Sequence, residues 1–345
     1  MKILVIGGTN FIGPPVVRHL IAMGHQVTVF HRGKTTANLP PTVNQILGDR
    51  SHLADMKSKF EQISPQVVLD MFPYTEQDAL TLMSTFKGIA QRVVAISSMD
   101  VYRAYDVILG KESSVVPVPL TEDSPLRQQL YPFRDLPEKP LDRIDDDYEK
   151  ILVERVVMPH PDLPGTIIRL PMVYGANDPR YRLFPYLQRM NDRRPVIVLE
   201  ESVAKWRGSY GYVENVAYAI ALAVTDERAT NRIYHVAEQE ALTEAERIAR
   251  VGQVAGWQGK VVVVNKEQLP TEWKLTVNTA QHWFVDSTRI RQELGYSEVV
   301  LLEEALRRSV EWQQAHPPHD PQQWSEPWLL DYATEDAILT KLTQN

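Results

Sequence analysis

The chain has 345 residues, of which 43% are hydrophobic and 23% charged, and a net charge of −7. That is enough for one large core or two closely joined domains, and the acidic balance argues against nucleic acid or an anionic membrane as partner. With no cysteine, disulfides, thiolate chemistry and cysteine-held metal are excluded.

"MKILVIGG" opens with an apolar run too short for a secretory segment, and no later stretch approaches a membrane span. A first buried strand and a cytoplasmic protein with no membrane partner are the expectations. "KILVIGG", "HQVTVF", "NQILGD", "PQVVLDM" and "RVVAISS" read as strands. Their apolarity is continuous rather than alternating, which implies burial on both faces of a parallel sheet. Helical patterns lie between them, such as "PPVVRHLIAMG" with Pro in the first turn and Gly24 at the C-terminal end. Strand–helix–strand repetition predicts a Rossmann-type, doubly wound parallel α/β sheet.

From Arg103 to Arg143 the pattern gives way to a proline-rich stretch with little periodicity, read as a lid-like insert. A helix containing Lys150 follows, then the strand "GTIIRL", the helix "GYVENVAYAIALAV" and the strand "RIYHVAE". The helix "ALTEAERIARVGQVAG", the strand "GKVVVVN" and a tail carrying Trp324, Trp328 and a final amphipathic segment complete the chain. The expected division is a dinucleotide-binding domain over 1–170. A smaller α/β substrate-binding region over 171–345 follows, with residues 206–237 or so returning to the first domain.

"VIGGTNFIGPPVVRHL" is strand, turn and helix in succession, with Gly7 and Gly13 as the outer members of a G-x-x-G-x-x-G arrangement whose middle position is Asn10. Such a turn needs backbone without Cβ obstruction and amides that face a pyrophosphate. Gly7, Gly8, Thr9, Asn10, Phe11, Ile12 and Gly13 are therefore the predicted phosphate cradle. After the second strand a carboxylate would select NAD. Here "TVFHRGK" has none, and Arg32 and Lys34, with His31 beside them, could hold the 2′-phosphate of NADP. The cofactor expectation is NAD(P), with NADP modestly preferred. Asp49 in "GDR" could meet the adenine amino group or cap the next helix.

Several ordered motifs resemble the extended and atypical short-chain dehydrogenase/reductase superfamily, in its NAD-dependent epimerase/dehydratase branch. "GGTNFIG" is close to its glycine turn, and "VVAISSMDVY" is similar to its Ser-Ser-x-x-Val-Tyr strand end. "RLPMVYGAND", "GYVENVAYAI", "IYHVAE" and "DSTRIRQELGY" resemble further stretches, although Ala176 replaces a usual Pro. The resemblance implies that Ser98 is the catalytic Ser/Thr, beside Ser97, and that Lys150 binds the nicotinamide ribose, with Glu154 four residues on. It also implies that Met71, Phe72, Pro73 and Tyr74 lie under the central part of the cofactor, and that Pro171, Met172 and Val173 border the nicotinamide.

One departure is chemical. The family's Tyr precedes its Lys by four residues, and in "RIDDDYEKILVE" that position is Asp146. If the segment is helical throughout, Tyr148 points about 200° away from Lys150. Asp146, on the same face as Lys150, would then form an ion pair with it more readily than it would catalyse. The usual Tyr is expected to be missing, with Tyr105 and Tyr131 of the insert as substitutes and Arg134 as an anion contact. Arg180 and Arg207 are the expected substrate contacts, amid Arg182, Lys205 and Trp206. No metal site is expected, "HPPHD" being at most a weak one. The reading is an epimerase, dehydratase or reductase acting on a nucleotide sugar or related hydroxyl/carbonyl compound, with a homodimer as the expected assembly. The alternative is a non-catalytic dinucleotide-binding sensor or scaffold, like atypical RNA-binding relatives of the branch.

Overall fold

The computed structural model describes all residues except 36, 135, 137, 138, 140–143, 159, 275, 276, 321–329 and 345. Trp324, Trp328 and part of the 103–143 insert thus lie outside the described residues. The first half builds β1 (Lys2–Ile6), α1 (Gly13–Ala22), β2 (Gln26–His31), β3 (Asn44–Leu47), α2 (Lys57–Ile63), β4 (Val67–Asp70), α3 (Glu76–Phe86) and β5 (Arg92–Ser98). After β5 come α4 (Arg103–Ile108), α5 (Lys150–Val157), β6 (Gly165–Leu170) and β7 (Met172–Tyr174). The remainder forms α6 (Phe184–Asn191), β8 (Val196–Glu200), α7 (Glu201–Lys205), β9 (Tyr210–Tyr212), α8 (Val213–Thr225) and β10 (Ile233–His235). It ends in α9 (Glu244–Val254), β11 (Lys260–Val264), α10 (Thr288–Leu294), α11 (Leu302–Ala315) and α12 (Tyr332–Thr343).

Seven strands pair in parallel in the order β10-β6-β5-β4-β1-β2-β3. Ile3 and Val5 face one core with Val16, Val17 and Leu20 of α1 and the Ala-rich face of α8. Leu4, Ile6 and Val68 face the opposite core with Phe60, Leu82, Phe86 and Val153, from α2, α3 and α5. Both faces of the sheet are therefore covered, which is why the strand runs read as continuously apolar. The chain reverses its winding between β1 and β4, and the crevice beyond the carboxyl ends of these strands is where an open parallel sheet takes a ligand.

Outside this sheet lie the parallel pairs β7–β9 and β8–β11. The strand "VIVLE" of β8 is not among the runs identified from the sequence, although Asn191, Asp192 and Pro195 mark a turn before it. The insert also begins with one short helix, α4, rather than irregular chain. At the far end Glu335 of α12 is buried against Arg189 and Arg194 and accepts from the Val198 amide, 3.0 Å away, pinning the last helix onto β8. No helix among the described residues is long and apolar enough to cross a membrane.

Candidate active site

The glycine turn joins β1 to α1 through backbone that only small residues adopt easily: φ is +97° at Gly7 and +84° at Gly8. A Cβ on Gly13 would lie 2.3 Å from the Gly8 Cα, so the turn closes only because both positions are glycine. Phe72, just beyond β4, packs its ring against Gly7, where a Cβ would be 2.2 Å from the ring edge. Pro14 and Pro15 follow Gly13 in the first turn of α1 and bring no N–H of their own. Among the described residues, the Phe11 and Ile12 amides donate to no protein acceptor. Donors without a partner at a glycine turn before a helix fit a pyrophosphate. The residues present therefore suit a dinucleotide, whose phosphates the Phe11 and Ile12 amides beside Gly8 would hold, while the Gly7 amide is given to the Phe30 carbonyl at 2.9 Å.

Around the expected adenosine end, His31 donates through Nε2 to Gln45 Oε1 at 2.9 Å and accepts through Nδ1 from the Gly33 amide, which folds it onto its own loop. Arg32 and Lys34 are exposed. Asp49 caps the turn at Arg50–His52 by accepting from the Ser51 amide at 3.0 Å, and this bond holds its carboxyl below the usual range. Of the two roles open to Asp49 in the sequence, capping is the one its contacts display. Arg50 reaches inward to Asp70 at 2.6 Å and Asp78 at 2.8 Å, tying the end of β4 to the start of α3.

The catalytic end departs from expectation in an informative way. The segment before Lys150 is not helical: α5 begins at Lys150, and Glu149 is its N-cap, with extended backbone at φ −157°. The Glu149 carboxylate accepts from the Ile151 amide at 2.8 Å and from the Tyr131 amide at 2.6 Å. It also pairs with Arg127 at 2.9 Å, and both side chains are fully buried. The 200° argument applied helical geometry to residues outside the helix. Tyr148, freed from the helical register, turns in towards the end of β5.

There the Tyr148 hydroxyl donates to Asp100 Oδ2 at 2.7 Å, and the Ser98 hydroxyl is placed to hydrogen-bond it. Burial, reinforced by Asp100, pushes the Tyr148 phenol well up. Ser98 ends β5 half-buried, its Oγ accepting from the Asp100 amide at 3.2 Å. Lys150 is buried and donates to the Pro73 and Ile96 carbonyls at 2.8 and 2.9 Å, with Tyr74 and Tyr148 rings 4.8 and 5.9 Å from its nitrogen. Burial draws its ammonium down to about 8, against the opposing pull of Asp100 and Asp70. The expected Asp146–Lys150 pair does not form. Asp146 is exposed and accepts from Lys139, and its own carbonyl accepts from Arg134. The physical reason is the same N-cap: without a helical turn between them, positions four apart do not share a face.

Other predicted residues divide. Ser97 is buried with its hydroxyl donating to Glu154 at 2.6 Å, and Glu154 is held bidentately by Arg169. Pro171 links β6 to β7, and Met172 and Val173 open β7 beside Ser209, whose carbonyl accepts from the Met172 amide at 3.1 Å. Tyr105 lies against Trp283 and Phe133, with ring centroids 5.2 and 6.2 Å away, and burial raises its phenol. Tyr131 stands under the Arg134 guanidinium at 3.7 Å. Arg180 is carried by a loop that buried Asp178 anchors through the Arg180 and Arg182 amides. Arg207 donates to the Ala241 carbonyl at 2.6 Å. The groups beside Ser98 and Lys150 that the sequence reading does not place there are Tyr148 and Asp100. Arg127 was the signal for them, but it lies 22 residues from Glu149.

No cluster of three or more potential metal ligands occurs among the described residues. His316 of "HPPHD" stacks on Trp312 and donates to its carbonyl.

Residues 3–113 match the NAD dependent epimerase/dehydratase family. A Sinorhizobium fredii protein of unassigned role is 28% identical over 47% of this chain, an alignment spanning only 52% of that relative. The chloroplast stem-loop binding protein of 41 kDa b of Arabidopsis thaliana is 22% identical over 99% of this chain and 84% of its own length. The 2′-dehydrokanamycin reductase of Streptomyces kanamyceticus is 25% identical over 79% of this chain and 70% of its own. Among solved structures, the dTDP-glucose 4,6-dehydratase of Bacillus anthracis in complex with NAD shares the fold, with a TM-score of 0.65 and 16% identity. That match covers 95% of this chain and 99% of the other.

Proposed function

Since residues 3–113 belong to the NAD-dependent epimerase/dehydratase family, we propose that the whole chain is an NAD(P)-dependent epimerase, dehydratase or reductase. Its substrate would be a nucleotide sugar or a related hydroxyl or carbonyl compound. The observation that carries this reading is the meeting of Ser98, Tyr148 and Lys150 where β5 ends and α5 begins. A phenol beside a serine hydroxyl and a buried ammonium is the equipment for moving a proton to or from a substrate oxygen. Ser98 holds that oxygen, Tyr148 transfers the proton, and Lys150 positions the ribose of the cofactor and keeps positive charge near the phenol. When bound, the dinucleotide supplies the hydride acceptor.

This assignment gives the proton step to Tyr148 from outside the helix and leaves no role for Asp146, which is exposed and paired with Lys139. NADP is the preferred cofactor, because no acid ends β2, Asp49 is engaged in capping, and Arg32 and Lys34 are exposed beside it. The neighbouring dehydratase and the similar reductase favour chemistry on a hydroxyl or carbonyl group.

A rival reading, a dinucleotide-binding protein without chemistry, draws on the full-length similarity to the chloroplast protein. Incubation of the full chain with NAD(P)(H) and a panel of nucleotide sugars separates the two, read by nicotinamide absorbance and product chromatography. Turnover lost in Ser98→Ala and Tyr148→Phe is the expected result. Tight cofactor binding with no turnover on any of the panel would overturn the enzyme in favour of its rival.

A further inference from the structure

Behind Tyr148 lies a carboxyl group that the proposed reaction has not yet used. Asp100 occupies the turn after β5, 6% exposed. Its Oδ2 accepts the Tyr148 hydroxyl at 2.7 Å, and its Oδ1 is buried without a hydrogen-bond partner. Resting on the enzyme reading above, we infer that Asp100 is the proton store behind Tyr148, a positioning residue that takes the phenol proton as the phenol takes the substrate's. In the oxidising direction the substrate O–H bond breaks and its proton joins the Tyr148 oxygen. The Tyr148 O–H bond breaks in turn, and its proton joins Asp100 Oδ2. The carbon releases its C–H pair as hydride to the nicotinamide. One carboxylate becomes one carboxylic acid, and reduction runs the same steps backwards.

Three observations favour this route over one through Lys150. Two of the three lysine N–H bonds already go to the Pro73 and Ile96 carbonyls. Tyr148 donates towards Asp100, not towards the lysine. The unpartnered Oδ1 denies the anion part of the stabilisation that a buried carboxylate needs, so a neutral carboxyl is accommodated. Facing Asp100 are Ser98 from β5, Arg127 from the insert (its Nε on the Asp100 carbonyl, its far end on Glu149), Tyr105 from α4, Tyr148 just before α5, and Lys150 at its first position. Burial raises the Asp100 carboxyl, and Arg127, Tyr148, Lys150 and Ser98 only partly offset it. A carboxyl raised in this way binds a proton more readily than an exposed one, which is what a group that receives and returns a proton requires.

The test uses the full-length protein labelled with carbon-13 in the aspartate carboxyls, titrated by NMR without cofactor. One resonance, missing in Asp100→Asn, should titrate clearly above those of the exposed aspartates, which lie near 3.9. Tyr148→Phe should move it higher still, because the anion loses a donor. If that resonance titrates with the exposed carboxylates, Asp100 is a plain buried anion and the store is overturned, whatever turnover is found. In the turnover assay, Asp100→Asn should lower kcat/KM by about 10²-fold or more and remove the acid limb of its pH profile. An unchanged profile in Asp100→Asn overturns the store and leaves the enzyme standing. Absence of turnover in the unaltered protein overturns the enzyme reading and takes the store's role in catalysis with it.

Discussion

The buried Arg127–Glu149 pair should be the interaction on which the placement of Tyr148 depends. Glu149→Ala removes the cap of α5, about 1 kcal/mol, and leaves the Tyr131 amide without its acceptor. It also strands a guanidinium that is fully buried, and breaking a buried ion pair from one side costs about 3–5 kcal/mol. These effects share one network and do not add, so the expected loss is about 4 kcal/mol, governed by the stranded charge. Arg127→Leu should lose a similar amount for the reciprocal reason. Arg127→Leu with Glu149→Leu removes both charges, and the double variant should be clearly more stable than the sum of the singles, with a coupling of at least about 2 kcal/mol. Urea unfolding followed by circular dichroism and by tryptophan fluorescence gives these values where the two transitions coincide. Single variants that each lose less than about 1 kcal/mol, or a double variant that loses their sum, would falsify the claim that this pair sets the start of α5.

Gly13→Ala puts a methyl 2.3 Å from the Gly8 Cα, so dinucleotide binding measured by calorimetry should fall by at least about 10²-fold. In turnover, Asp146→Asn should stay within about threefold of the unaltered chain while Tyr148→Phe loses about 10²-fold or more; the opposite ranking would return the proton step to the position counted from the family motif. Arg32→Ala with Lys34→Ala should weaken NADP by about tenfold or more and leave NAD nearly untouched, and equal effects on both would remove the 2′-phosphate from this corner. His235 is buried, accepts from Tyr102 and donates to the Asp286 carbonyl, and burial holds it down at about 3. A histidine depressed in the folded state contributes stability that is complete above its unfolded value near 6.5. That contribution is lost as the pH falls from there towards 3, up to about 4–5 kcal/mol at 1.36 per pH unit. The urea midpoint should therefore drop between about pH 7 and 4.5, and His235→Gln should flatten that dependence.

The parts of this molecule legible in its sequence are those fixed by neighbours along the chain. The glycine turn needs only residues 7–13, and the doubly covered strands announce themselves by unbroken apolarity. Helix starts are different. Before Lys150 the chain makes a turn closed by Asp145, whose carboxylate accepts from the Asp147 amide, and Glu149 caps α5; what holds that cap in place is Arg127, delivered by a proline-rich stretch that has no periodicity to read. Ser97 and Ser98 look alike in the sequence, yet strand alternation sends one hydroxyl to Glu154 and leaves the other at the crevice. Asp49 illustrates a third limit: a cap and a ligand contact require the same residue at the same place, and only the Ser51 amide distinguishes them.

The outermost strand of the main sheet has a bearing on how the chain is made. β6 pairs with β5 on one side and with β10 on the other, but β10 is synthesised only after the whole of β7, β8 and β9. On a translating ribosome the outer edge of β6 would stand open until residues 233–235 emerge, beside a strand so apolar that it invites pairing with another nascent chain. Any truncation of this protein before β10 inherits that open edge, because the seven-stranded sheet is not complete until β10 pairs with β6.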